Sequence, residues 1–192
     1  MTESNSQGKL VVISGPSGVG KSTICKQVVQ KVDAFLSVSA TTRTPSELEE
    51  DGREYVFISR NDFQKMIRNK ELLEYADVFG NYYGTPKAPV LEAVADGRIA
   101  ILEIDVQGGI QVKAECPDAL MIFILPPHKN DLEKRMKQRG RGEDKETQRR
   151  RLEKSGREVA MAWQHYDHMV VNDDLDQAIQ EVVEIIQEYV KG

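Results

Sequence analysis

The chain is 192 residues long, 40% apolar and 30% charged, with a formal net charge of −5. That length buries a sizeable core as one α/β domain with small insertions, and the composition excludes a disordered or low-complexity polymer. Two cysteines without metal-ligand spacing, a polar start (MTESNSQG) and no apolar run of bilayer length lead us to expect a reduced, cytoplasmic protein without secretory signal or membrane span.

In chain order, the apolar strand Leu10–Ile13 runs straight into GPSGVGKS, residues 15–22. The spacing G-x-x-x-x-G-K-S between a strand and a helix is that of a phosphate-binding loop. Its glycines let backbone N–H groups approach phosphate oxygens, Lys21 reaches the outer phosphates, and Ser22 offers a hydroxyl to Mg²⁺. From Ser22 to Val32, apolar Ile24, Val28, Val29 and Val32 recur at helical spacing. FLSVSA (35–40) alternates as a short strand, TTRTPSELEEDGRE (41–54) reads as loop, and YVFIS (55–59) as strand. Asn61 or Asp62 caps a short helix reaching about Lys70. LLEYADVFGNYYG (72–84) alternates around a Gly-Asn turn, and PKAPVLEAVADG (86–97) is a helix with Pro near its start and Gly97 just past its end.

IAILEID (99–105), ALMIFIL (119–125) and HMVVN (168–172) are further apolar strands. The last leads into a helix with Leu175, Ile179, Val182, Ile186 and Val190 on one face. Apolar strands alternating with helices predict a parallel sheet covered on both sides. The stretch from about 37 to 86 is polar and strand-rich, and reads as an insertion. Met161 and Trp163 read as core. His165, Asp167 and His168 have a spacing that could touch a metal, but a strand beginning there spoils the geometry.

A phosphate loop leaves open whether the terminal phosphoryl goes to water, to a small molecule or to a protein. Asp105-Val106-Gln107-Gly108 fits the GTPase pattern D-x-x-G, and His128-Lys129-Asn130-Asp131 approaches N-K-x-D with its first residue changed. Topology opposes that reading: only one strand-like run separates the two, where a GTPase fits another strand and helix. HKND reads instead as a capped helix start. The charge distribution says more. Residues 134–157 hold 11 Lys and Arg against 4 Asp and Glu. Arg135 and Arg139 share one helix face, Gly140 and Gly142 follow, and further arginines stand at 149–151. One arginine closing over a moving phosphoryl is worth roughly 10³–10⁵ in rate, and glycines in RGRGED would hinge such a lid. Nucleic acid is not expected as a partner, because no aromatics interleave the basic residues.

The insertion carries the complementary chemistry. SATTRTPS offers Arg43 among hydroxyls, a cradle for a phosphate monoester. LLEYADVFGNYYGT supplies Glu74, Tyr82, Tyr83 and Thr85. A carboxylate accepts two N–H bonds from one edge of guanine but faces a lone pair on adenine. Taken singly, Tyr82 could simply pack and Glu74 could pair with a lysine.

At these residues the chain resembles the guanylate kinase family, from Leu10 to about Val190. The resemblance rests on GPSGVGKST, SVSATTRTP, GREYVFIS, LLEYADVFGNYYGT, ILEIDVQGG, ILPP and VVNDDL. It implies an ATP:GMP phosphotransferase using Mg²⁺ with ATP. The implied fold is α/β, a P-loop NTPase-type parallel sheet flanked by helices, with a small strand-rich GMP-binding insertion and a helical arginine lid. The implied boundaries are 9–36, 97–134 and 152–192 for the core and 37–86 for the insertion, with 87–96 as connecting helix. Residues 135–151 would be the lid and 1–8 a disordered N-terminus.

Carried over position by position, the resemblance puts Ser39, Glu74, Thr85 and Asp105 around guanine, and Arg43, Tyr55 and Tyr83 on the GMP phosphate. ATP falls to Gly15, Pro16, Ser17, Gly18, Val19, Gly20, Lys21, Ser22 and Thr23, with Mg²⁺ near Ser22 and Asn172 near the adenine. Arg135, Arg139 and Arg151 would close over the transferring group, with Arg149 and Arg150 as alternatives to the last. Asp105 could equally order a water on Mg²⁺, as could Glu103. One departure stands out: the family's second arginine after Thr-Pro is Ser46 here, followed by the acidic run ELEED. A charge-assisted bond to phosphate is worth about 1.5–3 kcal/mol, so weaker GMP binding is expected unless Arg53 reaches in. The implied partners are ATP and GMP, with dGMP also admissible, no nucleic acid and no membrane, and a monomer or homodimer. The competing class is a non-catalytic interaction module, which would be expected to lose the loop or the lid arginines that this chain keeps.

Overall fold

Val11, Val12 and Ile13 are all sealed from water, a burial on both faces that only an interior strand permits. In the computed structural model, which describes residues 8–78, 80–127 and 145–192, these residues belong to β1 (Lys9–Ser14). It lies at the centre of a five-stranded parallel sheet. β7 (Ile99–Glu103) and β8 (Leu120–Leu125) flank it, and β2 (Phe35–Leu36) and β9 (His168–Val171) form the edges. Alternation along β1 sends Val11 and Ile13 to one face and Leu10 and Val12 to the other.

The Val11 face is covered by α1 (Lys21–Val32) and α6 (Leu175–Lys191), through Ile24, Cys25, Val28, Ile179, Val182 and Ile186. The Leu10 face receives α3 (Lys87–Ala95) and α4 (Val106–Glu115), through Val90, Ala93 and Val112. α5 (Lys145–His165) packs Ala162 against Val106 and Phe123. Most expectations of the core elements hold. Val190 is exposed at the end of α6, and Trp163, expected in the core, is 66% exposed.

Between β2 and α3 the chain builds a second sheet in the order β4-β3-β6-β5. Its strands are β3 (Ala40–Thr41), β4 (Val56–Phe57), β5 (Leu72–Val78) and β6 (Asn81–Pro86). β5 and β6 form an antiparallel hairpin whose turn includes Gly80 at φ 83°, a left-handed conformation that suits glycine. A small separate core of Ala40, Phe63 and Leu72 supports this sheet, with Tyr82 stacked on Phe63 at 5.3 Å. Tyr82 therefore packs. The helix α2 (Arg60–Arg68) is capped by Ser59, not by Asn61 or Asp62. The Ser59 hydroxyl accepts from the Asp62 N–H and donates to its carboxylate, a reciprocal cap. Lys70, at φ 56°, ends the segment.

Gly109 on α4 shows how tightly the core is tied together. A Cβ there would stand 2.0 Å from the Tyr166 hydroxyl oxygen, which in turn donates to Ser14 at the end of β1 (2.6 Å). Gly156 on α5 has nothing within 4 Å of the same position. Gly109→Ala should therefore lower stability by about 1–3 kcal/mol through overpacking. Gly156→Ala should raise it by roughly 0.5–1 kcal/mol through helix propensity. Thermal melts will show shifts of opposite sign, on the order of 2–4 °C per kcal/mol.

Candidate active site

β1 delivers the chain into the loop Gly15–Gly20, and the loop delivers it into α1. Gly18 and Gly20 stand at φ 88° and 99°, left-handed conformations that favour glycine. Gly20 is the N-cap of α1 and supplies no side-chain cap, and the first turn holds no acid. The positive end of the helix is thus left without a capping side chain and suits an anionic ligand. Lys21 Nζ rests at 3.5 Å from the Gly15 carbonyl and 3.3 Å from that of Ile104, long contacts that a phosphate can replace.

This loop opens onto a cavity of about 870 Å³, within the range of small-molecule sites. Gly15, Pro16, Ser17, Gly18, Gly20, Lys21 and Ser22 form one end of its lining. Ser39, Tyr55, Glu74, Tyr83 and Asp105 line it too, so the core and the second sheet share one space. Val19 is fully buried behind the loop, and Thr23 is exposed in the first turn of α1.

Glu74, on β5, is 6% exposed. The Thr85 hydroxyl donates to its Oε1 at 2.7 Å. Burial, opposed by that bond and assisted by the charge of Asp105, pushes the carboxyl up to about 7. Gly108 lies close enough that a Cβ there would meet Oε2 at 2.6 Å, so only a glycine leaves room beside the carboxylate.

The two acids at the end of β7 separate cleanly. Ser22 Oγ donates to Glu103 Oε1 at 2.5 Å, so Glu103 stands beside the hydroxyl expected near Mg²⁺. Asp105 instead caps α4, its Oδ1 accepting from the Gly108 N–H at 2.9 Å. Asn172, expected near adenine, is 4% exposed and donates to the Val19 carbonyl at 2.7 Å. A Cβ on Gly20 would meet its amide nitrogen at 2.6 Å, so Asn172 buttresses the phosphate loop and does not line the cavity.

Arg43 also departs from expectation. It is close to Tyr55, whose ring centroid is 5.5 Å away, and Tyr55 meets Tyr83 edge-on at 5.8 Å. The three expected phosphate ligands are thus together, but Arg43 is absent from the cavity lining. Glu49 holds both of its terminal nitrogens, at 2.8 and 2.9 Å. Arg53 reaches the cavity wall yet is engaged by Glu50 and Glu54. Arg135, Arg139 and the HKND segment lie outside the described residues, as does the side chain of Arg151 on α5.

Two groups escaped notice in the sequence. Glu158 is a buried carboxylate on the cavity wall, and its only signal was an acid on the otherwise small and apolar stripe of Ser155, Val159 and Ala162. Tyr166 carried none, since its contact with Ser14 spans 152 positions. Asp167, raised as a metal contact, accepts from the Met121 N–H and from Lys113.

A phosphate loop at the carboxyl end of a parallel sheet, facing a buried carboxylate across one cavity, defines a P-loop nucleotide-binding protein with a second polar subsite. The guanylate kinase family model matches residues 7–189. The chain is 47% identical over 182 residues to the guanylate kinase of Carboxydothermus hydrogenoformans, covering 94% of this chain and 88% of that one. It is 47% identical over 184 residues to that of Synechocystis, covering 95% of each. The crystal structure of guanylate kinase from Anaplasma phagocytophilum superimposes with a TM-score of 0.78 at 29% identity, over 94% of this chain and 85% of that one. The chain belongs to the guanylate kinase family.

Glu74 makes a prediction about pH. The folded carboxyl keeps its proton up to about 7, whereas the ordinary value is 4.5. The native state therefore binds more protons between those values, and stability is full below 4.5 and falls as pH rises through 7. Melts of the substrate-free protein against Glu74→Gln should show the wild type losing roughly 3 kcal/mol relative to the variant from pH 4.5 to 8.

Proposed function

We infer that this chain transfers the γ-phosphoryl group of ATP to GMP, giving ADP and GDP, in guanine nucleotide salvage and recycling. The observation that carries this reading is the pairing, in one cavity, of a phosphate loop with buried Glu74, to which the Thr85 hydroxyl donates. Ionised Glu74 accepts two N–H bonds from the guanine edge, and Ser39 completes the base pocket. Asp105, which lines the same cavity, contributes by fixing Gly108 against the Glu74 carboxylate. Arg43, Tyr55 and Tyr83 hold the GMP phosphate.

The ATP phosphates lie in the loop of residues 15–23, on backbone N–H groups at the start of α1, with Lys21 at the outer oxygens. Ser22 and Glu103 are hard oxygen donors in contact, a set that suits Mg²⁺. When bound, the ion neutralises charge on the phosphates. The acceptor phosphate dianion is already a nucleophile, so the protein needs no strong base. Its residues position the two phosphates in line and stabilise the charge between them. Arg135, Arg139 and Arg151 belong to that task as lid residues of 135–151, closing with the 37–86 insertion over the core to exclude water. dGMP is a further acceptor in this proposal, and the cytoplasm is its setting. No helix among the described residues is long and apolar enough to cross a membrane.

A coupled ADP-release assay with ATP and Mg²⁺ against GMP, AMP, UMP, CMP and no acceptor tests the reading. Turnover confined to GMP is expected, with Lys21→Ala reducing kcat on the order of 10²–10³-fold. Release without acceptor would instead indicate a hydrolase, and tight GMP binding without turnover an interaction module.

A further inference from the structure

The acidic loop after Thr44-Pro45 turns back onto Arg43. Four donors converge on the Glu49 carboxylate. Arg43 contributes two N–H groups at 2.8 and 2.9 Å, and Ser46 contributes its backbone N–H and its hydroxyl, each at 2.8 Å. A fork of guanidinium N–H groups joined by a backbone amide and a hydroxyl is a cradle for a tetrahedral oxyanion, here filled by a carboxylate. The pair is only partly open to water, at 29% and 19% side-chain exposure. Meanwhile Tyr55 and Tyr83 line the cavity and Arg43 does not.

We propose that Glu49 is an internal stand-in for the acceptor phosphate, so that GMP binds by displacing the Glu49 carboxylate from Arg43 and Ser46. The proposal rests on the assignment of Arg43 to the acceptor phosphate. Ser46 then acts as part of the cradle in place of the missing arginine, supplying two neutral donors. The exchange makes no covalent bond: one anion leaves the donors as another arrives. It favours the dianion, which presents three acceptor oxygens and more charge than a carboxylate. The Glu49 carboxyl is itself held well below the usual carboxylate range, at about 2, chiefly by its bonds from Arg43. Glu49 therefore stays ionised across the working pH range, and release needs a competing anion. The Leu48 side chain, 88% exposed beside it, adds no apolar packing that would resist the exchange.

The apparent affinity for GMP is then the intrinsic affinity reduced by the fraction of molecules with Arg43 released. Glu49→Gln keeps the size of the side chain and removes its charge, so the Michaelis constant for GMP should fall about 5- to 10-fold with kcat within about 2-fold of wild type. Inorganic sulfate, a probe of the empty cradle, should inhibit the variant competitively against GMP at correspondingly lower concentration. Arg43→Ala, measured beside it, should raise the Michaelis constant for GMP. If Arg43→Ala does so while Glu49→Gln leaves that constant unchanged or raises it, Glu49 is a support for Arg43 and the displacement idea is wrong. If Arg43→Ala has no effect on the constant, the phosphate assignment fails and the proposal falls with it. Glu49→Ala, checked for an unchanged melt, repeats the test should the glutamine variant fold poorly.

Discussion

β1 is hydrogen-bonded on both sides, in register with β7 from Lys9 to Ile13 and with β8 from Val11 to Ser14. Moving its carboxyl end would break two ladders and open two apolar layers at once, which holds that end firmly in place. The groups of the site hang from it. The phosphate loop begins one residue beyond β1, and Ser14 donates to the Asp105 carbonyl at 3.3 Å while accepting from Tyr166. Tyr166 lies just past α5, so the helix that carries Arg151 is tied at its far end to the base of the phosphate loop. Asn172, beyond β9, reaches the same loop from below. A phosphate that binds the loop therefore meets amides whose positions were fixed by burial elsewhere, which is what preorganised electrostatics requires.

On that fixed base, the charged groups are held by acceptors of graded strength. Lys21 rests on two carbonyls at 3.3 and 3.5 Å, contacts too long to resist a phosphate. Ser22 donates to Glu103 at 2.5 Å, and Arg43 is held by a carboxylate with two donors from Ser46 beside it. Each arrangement spares a cation or hydroxyl from standing unpaired. Under the proposed function, nucleotide binding exchanges such contacts for others, so substrate affinity is a difference between two sets of bonds, not the sum of one.

The fold was legible where periodicity governs it. Fully apolar runs marked the strands of the core sheet, and the polar, strand-rich stretch before α3 marked the insertion. Glu103 was within reach of the same reasoning: strand alternation puts it on the face of Ile101, which packs toward α1 and hence toward Ser22. Asp105 lies past the strand, where alternation no longer applies, and its capping bond to Gly108 is local chemistry that either reading allowed. The cap of α2 was misread because Ser59 sat inside a stretch read as strand, yet a hydroxyl three residues before Asp62 is a capping pair. Glu49 was visible only as charge. A polar loop has no period, and nothing in the order of its residues says that its carboxylate turns back six positions onto Arg43.

Glu74 shows why a site of this kind can be both strained and selective. Burying the carboxylate is unfavourable enough to hold its proton to about 7, because one hydroxyl, that of Thr85, does not replace the water it loses. In the proposed assignment, guanine brings two N–H donors to that deficit and so recovers what burial lost. Adenine offers a ring nitrogen with a lone pair, leaving the carboxylate either unpaired or obliged to stay protonated. In that assignment, rejection comes from the penalty of an unsatisfied buried acceptor, and such penalties discriminate more steeply than differences in shape. The Cβ that Gly108 lacks belongs to the same account, since a side chain there would collide with the Glu74 carboxylate itself.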